Sequence, residues 1–101
     1  MEGSRSYALK DQMLRASLSV PSNIAEGYER DSPKDFKRFL RYSKSSCAEL
    51  RTKLYIYKRY LSLTGNPTDH INSLIDETKE LVPMIQGFIN HLEKRDTSAK
   101  N

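Results

Sequence analysis

The chain has no tryptophan, one cysteine, two histidines, four glycines and four prolines. A lone cysteine, Cys47, excludes an internal disulfide and leaves no thiolate pair for a zinc site. His70 and His91 are twenty-one positions apart, with no Cys, His or carboxylate at ligand spacing to either, so their ordinary account is a helix surface. There is no Gly-rich phosphate loop and no nucleophile elbow. Glu26 and Glu49 are the only acids in small or apolar surroundings, and the expectation for them is structural, pairing with Arg30 and Lys53 at i+4. These absences lead to an expectation of no catalysis, no cofactor and no metal. No apolar run approaches the roughly eighteen residues that span a bilayer. The N-terminus lacks a hydrophobic signal core, so the expected location is the cytoplasm, away from membranes.

What is present is amphipathic. In 101 residues, 37% are hydrophobic and 30% charged, which suits one helical domain with a core small enough to gain from oligomerisation. Three long helices are expected, over about 7–26, 33–62 and 67–94, in an all-α, antiparallel up-down bundle, with Met1 to Arg5 a flexible start and 95–101 a flexible tail. In the first helix, Leu9, Met13, Ala16, Val20 and Ile24 form the inward stripe, widened by Leu14 and Leu18. The second has a heptad seam of Phe36, Leu40, Ser43, Cys47, Leu50, Leu54, Tyr57 and Leu61. Cys47 on that seam reads as a small buried apolar residue. Ile71, Leu74, Thr78, Leu81, Ile85, Phe88 and Leu92 make the stripe of the third.

The most unusual local chemistry joins the first two helices, in the stretch Ser19-Val20-Pro21-Ser22-Asn23-Ile24-Ala25-Glu26-Gly27. Pro21 inside a helical run predicts a bend, and Pro83 predicts another in the third helix. Gly27 is placed to end the first helix as a left-handed C′ residue, while Ser32 and Pro33 open the second as N-cap and N1. Gly65 should stop the second helix, with Asn66 and Pro67 starting the third.

The stretch from Ser19 to Gly27 resembles the signature of the bacterial four-helix-bundle family of 23S rRNA intervening-sequence proteins. The similarity continues through Ser32, Phe36, Phe39, Leu40, the run Ser46-Cys47-Ala48-Glu49-Leu50, Thr52 and Leu54. Upstream it takes in Tyr7, Leu9, Gln12, Arg15 and Ala16. It covers roughly residues 5–62 and fades after that. The resemblance implies a ring-like homopentamer. It also implies a further helix ahead of Tyr7, which this chain is expected to lack, so an apolar groove is expected where that helix packs. Pro21, Asn23, Ile24, Glu26, Gly27, Phe39, Cys47 and Leu50 are assigned to packing and subunit geometry.

Charge is unevenly distributed. Between Arg30 and Arg59, ten basic residues stand against three acidic ones, a local net of +7, whereas five acids and one lysine between Asp69 and Glu93 give −4. Lys34, Lys37, Arg38, Arg41 and Lys44 recur at helical spacing on the side of the second helix opposite its seam. Tyr42 and Tyr55 border them, which suits base or sugar stacking. A charge run of this kind is ordinarily a solvated helix face. It is also what a phosphate-binding surface needs. The family resemblance implies proteins encoded within rRNA gene insertions. Its distant likeness to the accessory variability determinant of diversity-generating retroelements implies nucleic acid and a reverse transcriptase as partners. Arg51 and Lys53, where the family often has Glu and Gln, make this chain more basic. The expected function is a non-enzymatic homo-oligomer that binds structured RNA or DNA through this face, with Lys34, Lys37, Arg38, Arg41 and Lys44 on phosphates and Tyr42 stacking. The alternative is a protein-interaction module whose groove takes a partner helix.

Overall fold

The computed structural model describes the backbone of residues 2–100 and the side chains of residues 5–95. It contains three helices, α1 (Glu2–Tyr28), α2 (Pro33–Leu63) and α3 (Asp69–Lys100). The all-α expectation holds. α2 lies in the middle: α1 and α3 each pack along it, and among the described residues their backbones do not approach one another. The result is a single layer of helices with principal extents of 59 × 21 × 13 Å.

Helix ends follow local chemistry. At the start of α2, the Ser32 Oγ accepts from the Asp35 amide at 3.0 Å and Pro33 follows in the first turn, as a capped N-terminus requires. At its end, Thr64 is the C-cap and Gly65 takes φ 76°. The Asn66 amide donates to the Leu61 carbonyl at 2.8 Å and the Gly65 amide to Ser62 at 3.2 Å. Those are the two bonds of a Schellman motif. Asn66 is therefore part of the α2 terminus and does not cap α3. Its side chain donates to Thr64 Oγ1, and α3 begins only at Asp69.

One further expectation is corrected. Gly27 does not end α1: it lies inside the helix, and the positive φ among the described residues is at Gly65 alone. Its role is closeness of approach, because Gly27 is buried against Phe36 and Phe39. Pro21 and Pro83, where bends are expected, lie inside α1 and α3, whose helical assignment continues on both sides of each. The backbone is helical from Glu2 and as far as Lys100, so α1 and α3 take in residues 2–5 and 95–100 of the ends expected to lie outside the helices. Residues 1 and 101 lie outside the described residues.

The core forms two clusters on α2. One gathers Val20, Leu40, Cys47, Ile85, Ile89 and Leu92, and the other is built on Leu54, Ile71 and Ile75, with Met13, Leu50 and Leu74 against it. The α2 seam is as expected, with Leu40, Ser43, Cys47 and Leu54 buried. α3 differs. Its inward stripe is Ile71, Ile75, Thr78, Ile85, Ile89 and Leu92. Leu81 and Phe88, expected inside, are exposed. With Leu74 and Met84 they form a second apolar stripe, roughly 90° round the helix from the first at 100° per residue. In α1, Ala16 and Val20 are buried while Ile24, Leu14 and Leu18 are exposed.

Candidate nucleic-acid interface

The candidate residues are carried by the side of α2 that faces away from the core. Lys34, Lys37, Arg38, Arg41 and Lys44 fall within an arc of roughly 120° at 100° per residue. They divide into two groups by what they touch. On the α1 side, the Arg38 guanidinium lies 5.2 Å from the Phe39 ring centre and 3.5 Å from the Asp35 carboxylate. The Arg30 guanidinium covers the same ring at 4.9 Å and also pairs with Glu26. Tyr42 meets Phe39 edge-on with centroids 5.6 Å apart. Two cations, a half-buried ring and an exposed tyrosine thus form one cluster beside exposed Lys34. Guanidinium planes over an aromatic face are held by the ring quadrupole. Arg30 belongs to this cluster. Its proximity to Phe39 depends on the turn at 29–32, which helical spacing does not reveal.

The α3 side is different. The Arg41 guanidinium donates to Glu93 Oε1 at 2.9 Å, and Lys44 Nζ donates to Gln86 Oε1. Lys37 is half-buried. The local +7 of α2 is thus partly answered by the acidic helix. The Arg41–Glu93 pair is half-exposed on both sides, so its contribution to stability is small and a competing anion can displace the acid.

Two basic residues that departed from the family pattern have structural roles. Arg51 Nε donates to Thr78 Oγ1 at 3.1 Å and its Nη2 donates to the Thr78 carbonyl at 3.2 Å. Thr78 Oγ1 in turn donates to the Ile75 carbonyl at 2.6 Å. Lys53 pairs with Glu49 at 3.4 Å. Neither residue adds a free charge to the outer face.

The residues assigned to packing make a second constellation. Ser43 Oγ donates to the Val20 carbonyl at 2.8 Å. Asn23 Nδ2 donates to the Ser19 carbonyl at 2.8 Å and to its hydroxyl at 2.9 Å, and the Ser19 and Ser46 hydroxyls are bonded at 2.9 Å. The Ser43–Val20 and Ser19–Ser46 bonds tie α1 to α2. Cys47 is fully buried, with its thiol 3.6 Å from the Thr78 carbonyl. Burial pushes the thiol's pKa up, against a smaller opposing pull from the Arg51 charge. That is the environment of an inert core cysteine. Glu26 and Glu49 bond with Arg30 and Lys53 at i+4, as the spacing anticipates. Among the described residues no three His, Cys, Asp or Glu side chains gather as a metal site, and no helix is long and apolar enough to cross a membrane.

The opposite face of the layer carries an apolar furrow. It runs over α2 between α1 and α3, with a cavity of about 440 Å³ lined by residues including Met13, Val20, Leu54, Leu74 and Leu81. Pro21 and Leu50, both assigned to packing from the sequence, also line it. Ile24 lies further along, in a smaller cavity of about 180 Å³.

A family model described as 23S rRNA-intervening sequence protein matches residues 1–87. No curated protein and no solved structure matches the chain. The family match spans α1, α2 and more than half of α3, including both constellations described above. The chain belongs to the 23S rRNA-intervening sequence protein family.

Proposed function

We propose that this protein is a non-enzymatic, homo-oligomeric nucleic-acid-binding bundle of the cytoplasm that reads phosphate backbones through the outer face of α2. The observation that carries this reading is the concentration of basic and aromatic groups around Phe39. Arg30 and Arg38 lie on its ring, Tyr42 on its edge, and Lys34 stands exposed one turn before Arg38. Arginine and lysine on phosphates supply affinity without sequence readout, and a half-exposed tyrosine offers a stacking surface. Lys37, Arg41 and Lys44 extend the surface towards α3. Arg41 exchanges the Glu93 carboxylate for a phosphate when nucleic acid binds.

The test is fluorescence anisotropy with a labelled structured RNA and a matched duplex DNA across several salt concentrations. Wild type should bind with affinity that falls steeply as salt rises. A Lys34→Ala/Arg38→Ala variant should bind less tightly and show a shallower salt slope by about one to two. Absence of binding at low salt would demote the face to solvated charge.

The apolar furrow favours a second reading, an interaction module with no nucleic-acid role. Salt-insensitive binding of an amphipathic helix, with no response to either nucleic acid, would support it.

A further inference from the structure

Tyr42 and Tyr60 are eighteen positions apart on α2. That is about five whole turns at 100° per residue and roughly 27 Å at 1.5 Å per residue, so the two leave the helix on the same side. Each rests on an aromatic ring three residues earlier. Tyr42 meets Phe39 edge-on, while Tyr60 lies flat on Tyr57, with centroids 6.0 Å apart and planes 12° from parallel. Each inner ring also carries a cation. The Arg30 guanidinium lies 4.9 Å from the Phe39 centre and the Lys10 ammonium 5.8 Å from that of Tyr57. The same aromatic arrangement thus stands at both ends of the α1–α2 groove.

Between the two pairs the groove holds a polar cavity of about 250 Å³, lined by Ser46, Glu49 and Lys53 from α2 and by Gln12 and Ser19 from α1. Tyr42, Ser46, Glu49, Lys53 and Tyr60 fall within an arc of roughly 60° at 100° per residue. Arg38, at one edge of the basic stripe, adjoins that arc. The groove therefore borders the stripe on the outer face.

We propose that the α1–α2 groove is a binding site for single-stranded nucleic acid, with an unpaired base stacked at each of the two aromatic pairs. The inference rests on the nucleic-acid reading above and narrows it to an unpaired segment, such as a loop or overhang of a structured RNA. Chemistry selects a single strand over a duplex. In a duplex the bases are stacked on one another, so an aromatic face has no base to receive. An unpaired base has both faces to offer and stacks on tyrosine whatever its identity. The parallel Tyr57–Tyr60 pair is a stack that one more flat ring extends.

The cavity between supports the same assignment. It offers an amide, two hydroxyls and the Lys53–Glu49 pair, whose charged atoms are 3.4 Å apart. Donors and acceptors together suit ribose hydroxyls and base edges, while phosphates turn to the neighbouring stripe of Lys34, Arg38 and Arg41. The spacing also sets a length. A strand rising about 3.4 Å per nucleotide covers roughly 27 Å in about eight nucleotides, and a more extended strand in fewer.

Fluorescence anisotropy with three labelled RNAs at one low salt concentration tests this. The probes are an unstructured single strand of about twelve nucleotides, another of about three, and a blunt duplex as long as the first. Phosphate contacts alone favour the duplex, which has about twice the charge per unit length. The groove predicts that the long single strand binds tightest and the short one about ten-fold or more weaker. Tyr60→Ala should weaken the long single strand by about five-fold or more and leave the duplex unchanged. Tyr60→Phe, which keeps the ring, should bind as wild type. If Tyr60→Ala loses helical circular dichroism, Tyr60→Leu, which keeps bulk without an aromatic face, should show the same selective loss. A duplex that binds wild type as tightly as the single strand overturns the proposal and leaves the phosphate-reading surface standing. So does single-strand binding indifferent to both Tyr60→Ala and Tyr60→Leu, or an equal loss for both ligands. Absence of binding by every RNA overturns both readings.

Discussion

Gly27 lies so close to α2 that a Cβ built on it falls 2.8 Å from the Cβ of Phe39 and 2.8 Å from the edge of the Phe36 ring. The Phe39 Cβ is anchored to its own backbone and cannot swing aside. Gly87, also helical, has nothing within 4 Å of the same construction. The two glycines therefore respond oppositely to alanine. Gly87→Ala should stabilise the protein by about 0.5–1 kcal/mol through helix propensity alone. Gly27→Ala makes the same propensity gain and loses it to overpacking, for a net destabilisation of about 1–2 kcal/mol. Urea denaturation of the two variants beside wild type reads both signs.

Much of this arrangement was legible in the sequence. Ser32-Pro33 and Gly65 are local signals, and both behave as their chemistry dictates. The periodicity of α2 identified Leu40, Ser43, Cys47 and Leu54 because the middle helix has neighbours on both sides. α3 was read less well. Its apolar residues form two stripes, and periodicity finds their average without telling which meets α2. Leu81 and Phe88 fall on that average and so read as core, although both are exposed. Gly27 was recognised as a special position for the wrong reason, since a close approach between helices has no signal in a single strand of sequence. At the basic face, spacing grouped five cations correctly on one side of α2. It could not show that Arg41 and Lys44 reach α3, that Arg51 binds Thr78, or that Arg30 folds back over Phe39.

Gly65 at φ 76° occupies a region where a Cβ is strained whatever the free space around it. Gly65→Ala should destabilise by about 1 kcal/mol, and Gly65→Asn by less, since asparagine tolerates the left-handed conformation. Thermal unfolding of the pair, with Gly65→Asn intermediate between wild type and alanine, checks this.

Cys47 is buried and its thiol pKa is raised by that burial. It should stay unmodified by a thiol reagent at pH 8 in the folded protein and label at once in denaturant. Linkage gives the pH dependence. From about pH 9 upward the unfolded chain loses the thiol proton while the folded chain keeps it. The unfolded state then binds fewer protons, and stability declines with rising pH. Denaturation midpoints at pH 8 and pH 10 should show a smaller drop in Cys47→Ala than in wild type.

Arg41 is held by Glu93 across the α2–α3 seam at 2.9 Å. If the outer face binds phosphates, that carboxylate competes with them. Glu93→Gln should tighten RNA binding by about two- to five-fold at low salt, matching the modest worth of an exposed ion pair. Unchanged or weaker binding would show that Arg41 has no part in the surface.

The central claim is that nucleic acid meets the outer face of α2 and not the furrow. Its most direct measurement is an amide chemical-shift map of the isotopically labelled protein titrated with a short RNA duplex. The account predicts shifts concentrated at residues 30–45, around Arg30, Lys34, Arg38 and Tyr42, with the amides of Met13, Pro21's neighbour Ser22, Leu74 and Leu81 unmoved. Shifts confined to the furrow, or none anywhere at low salt, would contradict it.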